Sequence, residues 1–210
     1  NIYANIRKAI IFLLSCNLGE IVSLFVAILL NFDPPLLPIH ILWVNLITDS
    51  FPALSLGIDP KDPSVMEHPP RNPKESLFAE HMGLFLALNG VLIGGVTLAA
   101  FLLGERLYMS SLVHAQTLAF VVLSFSQLFF SLSMRSREKS LLKVGLFTNK
   151  YLLLSILLGM CVQFLIIIIP FFADVFNVFI LSARDWLLVI CISLIPFLLN
   201  EIFKLIKYHR

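Results

Sequence analysis

Apolar residues fall into six blocks along this chain, roughly Ile10–Leu30, Ile39–Leu56, Met82–Leu103, Leu112–Ser133, Tyr151–Phe172 and Trp186–Ile206. Each is close to the ~20 residues that a helix needs to cross a ~30 Å hydrocarbon layer. The blocks are too long for barrel strands and lack their two-residue alternation. The pattern predicts an all-α membrane protein, a bundle of six transmembrane helices forming a single domain over residues 1–210.

The polar stretches between blocks predict the connections. Asn31–Pro38 is short and carries Pro34, Pro35 and Pro38, which end one helix and start an antiparallel neighbour, so the first two spans form a hairpin. Gly57–Leu77 is the longest polar stretch, and Pro60, Pro63, Pro69, Pro70 and Pro73 predict an extended loop with little regular structure. Gly104–Ser111 and Ala173–Asp185 are turns on the opposite side. Arg135–Lys150 is basic, with Ser136, Ser140, Thr148 and Asn149 suited to caps and turns.

Composition agrees: 59% of residues are hydrophobic and 13% charged, with a mean hydropathy of +0.93, far more apolar than a soluble domain. Charge adds an orientation. If both termini and the loops after the second and fourth blocks share one side, that side holds all of the 15 Lys and Arg residues except Arg106 and Arg184. By the positive-inside rule the crowded side is cytoplasmic. The net charge of +2 is thus a topology signal and no sign of nucleic-acid binding. Asn1–Lys8 is polar and no cleavable signal peptide is visible. The chain starts without Met in a helix-like stretch, so it is expected to be a piece of something longer. Cys16, Cys161 and Cys191 each sit inside an apolar block without metal-type spacing, and read as small packing residues.

Two polar clusters interrupt the first two blocks: Asn17 with Glu20, and Asn45 with Thr48 and Asp49. Helical spacing of three and four puts each cluster on one face of its helix, so the two faces can meet around a cation. Intramembrane carboxylates are costly and therefore functional candidates. All five are oxygen donors, as Ca2+ prefers. No His or Cys is expected on the same face as both clusters, which disfavours a soft metal. Gly19 lies within the first cluster and Pro52 and Gly57 just beyond the second, and such residues can loosen helical hydrogen bonding. The alternative is a polar patch that glues two helices together.

These residues carry a family resemblance. Asn17-Leu18-Gly19-Glu20, then Leu42-Trp43-Val44-Asn45-Leu46-Ile47-Thr48-Asp49, then Pro52-Ala53-Leu54-Ser55-Leu56-Gly57, resemble the fifth and sixth transmembrane helices of P-type calcium ATPases, above all the sarco/endoplasmic reticulum type. Met66–Glu75 is similar to the proline-rich cytoplasmic loop that follows, and the remaining spans match in order to the terminal Asn200-Glu201-Ile202-Phe203-Lys204. The resemblance implies the last six helices of a ten-helix pump. It makes Asn17, Glu20, Thr48 and Asp49 ligands of an inner Ca2+ site and Asn45 with Asp49 ligands of a second, which also needs a glutamate of the family's fourth helix. Where reticulum pumps place a glutamate in the eighth helix, this chain has Gln127, which keeps an oxygen but loses a charge. One Ca2+ per cycle is the resulting expectation, with Glu20 free to carry counter-ions.

The family's phosphorylated aspartate, in an Asp-Lys-Thr-Gly stretch, does not occur here, and neither does a P-loop. No catalytic or nucleotide-binding residue is therefore assigned: ATP and Mg2+ would be bound by other domains of the pump, and the chain alone should be inactive. Its expected partners are the lipid bilayer, the family's four preceding helices and its cytoplasmic domains. The expected location is a multi-pass membrane protein with both termini cytoplasmic, in the plasma membrane if bacterial. A Mn2+ or Na+/K+ pump of the same fold, and a free-standing six-helix channel or carrier, are the alternatives. Sodium/potassium pumps have an aspartate where Asn45 stands, and secretory-pathway pumps lack an acid at Glu20. Gly90 and Gly94 form a small-xxx-small pair for packing, expected against the first span. Asn200 and Glu201 are expected to bond neighbouring helices or reach interfacial water, His40 to be interfacial, and Trp43 and Trp186 to pack or anchor.

Overall fold

The computed structural model describes residues 2–60, 82–108 and 111–208. Most of the proline-rich loop, from residue 61 onward, lies outside the described residues. Six helices are long and apolar enough to cross a membrane, and no strand occurs among the described residues. The protein is an all-α membrane helix bundle.

The first span, α1 (Ile2–Leu29), starts well before the apolar block and carries its polar base Asn5–Lys8 as continuous helix. It ends in a Schellman-type turn: Asn31 takes a left-handed φ of 55° while Phe32 N–H donates to Ala27 O at 2.9 Å. The second span runs from Pro38 to Gly57 in three pieces: α2 (Pro38–Trp43), a π-helical segment (Val44–Asp49) and α3 (Ser50–Gly57). The third, α4 (Met82–Leu107), passes its expected end by one turn, and the fourth, α5 (Leu112–Ser133), has its expected bounds. The basic connection folds into α6 (Leu141–Val144) and a 3-10 turn (Leu146–Thr148), and Asn149 caps the next helix by accepting from Leu152 N–H at 3.0 Å.

The last two spans are broken rather than continuous, because each contains a proline. α7 (Lys150–Ile168) gives way to α8 (Pro170–Phe176), and α9 (Ala183–Ser193) to α10 (Ile195–Tyr208), with Pro170 and Pro196 at the breaks. Proline lacks the N–H for the carbonyl four residues back and its ring clashes with that carbonyl.

α5 is the centre of the bundle. It is buried along nearly all its length and packs against α4, α7, α9 and α10. Its fully buried Phe120, Leu123, Leu128 and Phe130 anchor the core, while Ser124, Ser126 and Ser131 satisfy their hydroxyls on carbonyls one turn back. The outer helices show the reverse: Ile21, Phe25, Leu84, Leu88, Leu154 and Leu157 are all exposed, giving an apolar outer surface.

Gly90 and Gly94 do pack against the first span. A Cβ at Gly94 would sit 2.7 Å from the Gly19 carbonyl oxygen, and one at Gly90 2.7 Å from Leu18. The backbones of α1 and α4 therefore meet at the turn that carries Asn17 and Glu20.

Candidate cation site

Three elements bring the polar residues together. α1 supplies Asn17 and Glu20, and its position is fixed at that height by the glycine seam with α4. The second span supplies Asn45, Thr48 and Asp49 from its π segment. The sequence explains where this segment ends: Pro52 cannot donate to the Thr48 carbonyl, so regular α bonding is interrupted there. Side chains take up part of the altered ladder. Thr48 Oγ1 donates to Val44 O at 2.8 Å, and Ser50 Oγ to Asn45 O at 3.0 Å.

The two clusters meet through Glu20, which is 5% exposed. Asn45 Nδ2 donates to Glu20 Oε2 at 2.8 Å and also to Ile41 O at 3.0 Å. From α5, Gln127 Nε2 donates to Glu20 Oε1 at 3.3 Å. Glu20 is thus held between the second and fourth spans by two amide donors.

Asp49 is different. It is completely buried, and neither carboxylate oxygen has a hydrogen-bond partner. Glu20 lies close enough to act on it electrostatically. Asn17 Oδ1 and Gln127 Oε1 are likewise buried and unpartnered. An unsatisfied buried acceptor costs ~1–3 kcal/mol, and more when charged. Four such oxygens from three helices lack a nitrogen or hydroxyl donor, and beside Asp49 stands only the weak donor of the Cys16 thiol. Chemically, the group is a set of oxygen acceptors. Thr48 keeps free lone pairs, because its hydroxyl acts as a donor to Val44. Among the described residues no three His, Cys, Asp or Glu converge as a metal cluster. The set is two carboxylates with neutral amide and hydroxyl oxygens, the donor chemistry of a hard cation.

One expectation needs correction. Cys16 is fully buried and lies next to Asp49, with Glu20 also in electrostatic range. It stands one helical turn before Glu20, so it shares the face that was expected to hold no thiol. Cys161 and Cys191 are exposed on the apolar outside.

His40 faces the inside of the bundle. It is fully buried and stacked on Phe120 with centroids 4.3 Å apart. Leu37 N–H donates to Nδ1 at 3.3 Å and Nε2 lies 2.8 Å from Phe176 O. A carbonyl only accepts and an N–H only donates, so the ring is the neutral Nε2–H tautomer with both nitrogens satisfied. Its one ring proton is committed to the Phe176 carbonyl.

Gln163 was not anticipated. Its Oε1 accepts from Trp43 Nε1 at 3.1 Å and lies 3.3 Å from Ser124 Oγ, whose single proton it shares with the Phe120 carbonyl, so it joins the second, fourth and fifth spans. A polar residue inside the fifth block was its available signal. Asn200 bonds Asn89 Oδ1 at 2.6 Å, and Glu201 bonds Ser133 and the Leu141 N–H, so both join helices as expected.

The chain is 54% identical over 99% of its length to calcium-transporting ATPase 1 of Bacillus cereus. It is 41% identical over 93% of its length to the calcium-transporting ATPase of Bacillus subtilis. It spans about a quarter of these relatives, 25% and 22% of their respective lengths. The family model for the cation transporting ATPase C-terminus matches residues 33–206, and with the bundle and its buried oxygen cluster in place, the chain belongs to that family.

Proposed function

We propose that this chain is the transport domain of an ATP-driven Ca2+ pump, with the ion held by Asn17, Glu20, Asn45, Thr48, Asp49 and Gln127. The observation that carries the reading is Asp49: a fully buried carboxylate with both oxygens unpartnered, beside a second carboxylate. Two acids nearly neutralise a divalent ion, which offsets the cost of burying either. The relatives' names support calcium as the cargo.

Asn45 and Gln127 work in two modes. With their N–H2 groups toward Glu20 they hold the carboxylate; turned over, they present oxygens to an ion. ATP and Mg2+ belong to the pump's cytoplasmic domains, and the domain responds to their state through differential affinity of the site for the ion. Gln127 leaves the site with two protein carboxylates, Glu20 and Asp49, so one Ca2+ per cycle is the stoichiometry. The distribution of Lys and Arg favours cytoplasmic termini, and in a bacterium the host membrane is the plasma membrane.

The test is Ca2+-dependent phosphoenzyme formation by the full-length pump. Asp49→Asn should abolish the Ca2+ dependence and Glu20→Gln should weaken it strongly. Normal dependence in Asp49→Asn would overturn the proposal.

A further inference from the structure

Asp59 lies ten residues beyond Asp49, at the foot of the second span, and is 7% exposed. Its Oδ1 accepts from Arg135 Nε at 3.0 Å and from Asn149 Nδ2 at 2.8 Å. Its Oδ2 accepts from Lys8 Nζ at 3.0 Å. Its backbone carbonyl accepts from Asn5 Nδ2 at 2.8 Å. One residue thus joins four places in the chain: the base of α1, the end of the second span, the end of α5 and the start of α7.

The partners are themselves fixed. Arg135, with a side chain only 3% exposed, spends its remaining nitrogens on Gly145 O at 2.7 Å and Thr148 Oγ1 at 2.6 Å. Asn149 also donates to Ser55 O at 3.0 Å while capping α7. Charge-assisted bonds of this kind are short and directional. Every acceptor atom of Asp59 is used, so the desolvated charge is fully compensated.

The three elements that carry the cation oxygens are the ones tied here. α1 holds Asn17 and Glu20 and sends Asn5 and Lys8. The second span holds Asn45, Thr48 and Asp49 and ends in Asp59. α5 holds Gln127 and is followed by Arg135. The hub is a cross-link that reaches all three at the cytoplasmic end, about two to four helical turns from the oxygen cluster.

We infer that Asp59 is a positioning residue for the cation site, setting the mutual register of α1, the π segment and α5 so that their oxygens converge, and passing movement of the α1 base to all three together. The inference rests on the proposed transport function. It predicts an effect on ion affinity rather than on the chemistry of phosphorylation, because Asp59 touches no reacting group.

The experiment uses the full-length pump and reads the Ca2+ concentration for half-maximal phosphoenzyme formation and, separately, the maximal level per mole of folded protein. Asp59→Asn keeps the shape and removes the charge that holds Lys8 and Arg135. It should raise the half-maximal Ca2+ concentration by about tenfold or more, within the usual span of coupling between sites, with the maximal level per folded mole little changed. Lys8→Gln removes one arm at a partly exposed position and guards against failure of Asp59→Asn to fold; it should give a smaller shift in the same direction. Combining Lys8→Gln with Asp59→Asn should add less than the sum of the two, since both break one contact. An unchanged half-maximal concentration in both variants, or strictly additive shifts, overturns the role of Asp59. A wild-type pump without any Ca2+ dependence overturns the transport reading instead, so the two failures are distinguishable.

Discussion

Asn45 reaches from the π segment to Glu20 of α1 through a 2.8 Å bond between Nδ2 and Oε2. The donor end of an amide that could serve as a ligand therefore faces a carboxylate. Replacing Asn45 by Ala removes that donor and one neutral oxygen, and leaves a buried charge with a single amide partner, Gln127. The expected loss is about 1–3 kcal/mol of ion binding, or roughly five- to 150-fold in affinity. Equilibrium binding of radioactive Ca2+ to the full-length pump checks it; an unchanged affinity removes Asn45 from the site.

Adjacent glycines of α4 should respond with opposite signs. A Cβ at Gly94 would meet the Gly19 carbonyl at 2.7 Å, whereas a Cβ at Gly95 meets nothing within 4 Å. Gly94→Ala must push two backbones apart and should cost about 1–3 kcal/mol, the usual range for overpacking. Gly95→Ala gains helix propensity and should stabilise by up to about 1 kcal/mol. Thermal unfolding midpoints of the two variants in the same detergent decide the matter.

Much of this arrangement is legible in the sequence, and the reasons differ by residue. Glu20 and Asp49 stand out because charge inside an apolar block is expensive, and periodicity alone puts Asn17 with Glu20 and Asn45 with Asp49. Pro52 hints at a break in helical bonding. It does not reveal the register of the π segment, since that depends on which carbonyls find other donors. Cys16 was legible by the same spacing, four residues before Glu20; that it lies beside Asp49 depends on how α1 meets the second span, a contact between distant parts of the chain. Arg135 and Lys8 read as orientation charges, and nothing local shows that both end on one aspartate. Pro170 and Pro196 were visible, yet length and hydropathy alone merged each broken span into one helix.

On the opposite face of the bundle, the Tyr108 hydroxyl donates to Asp185, and that bond, then burial and the aspartate charge, raises the Tyr108 phenol above its ordinary value. A group whose value is raised on folding contributes stability fully at pH below its unfolded value of about 10 and loses it as pH rises through the higher folded value. The difference in stability between the native chain and Tyr108→Phe should therefore be constant through neutral pH and shrink only in strongly alkaline solution. Denaturation midpoints of both proteins across that range test it; a difference that changes near neutrality would contradict the assignment. The phenol is only half-buried, so the whole effect should be small.

Lys204 closes the bundle at the other end. Its Nζ is buried and bonds Glu201 Oε1 at 2.7 Å, Ser133 O at 2.7 Å and Ser133 Oγ at 2.8 Å. It therefore satisfies the final turn of α5 and neutralises the Glu201 carboxylate, which also holds Leu141 N–H at 2.7 Å. Lys204→Met leaves Glu201 without its cation and Ser133 O without a donor, at a cost of about 3–5 kcal/mol. Lys204→Met with Glu201→Gln removes the stranded charge while keeping an acceptor for Leu141, and should recover part of that loss. If the double variant is no more stable than Lys204→Met in thermal unfolding, the cost lies in packing of the lysine stem and not in the ion pair.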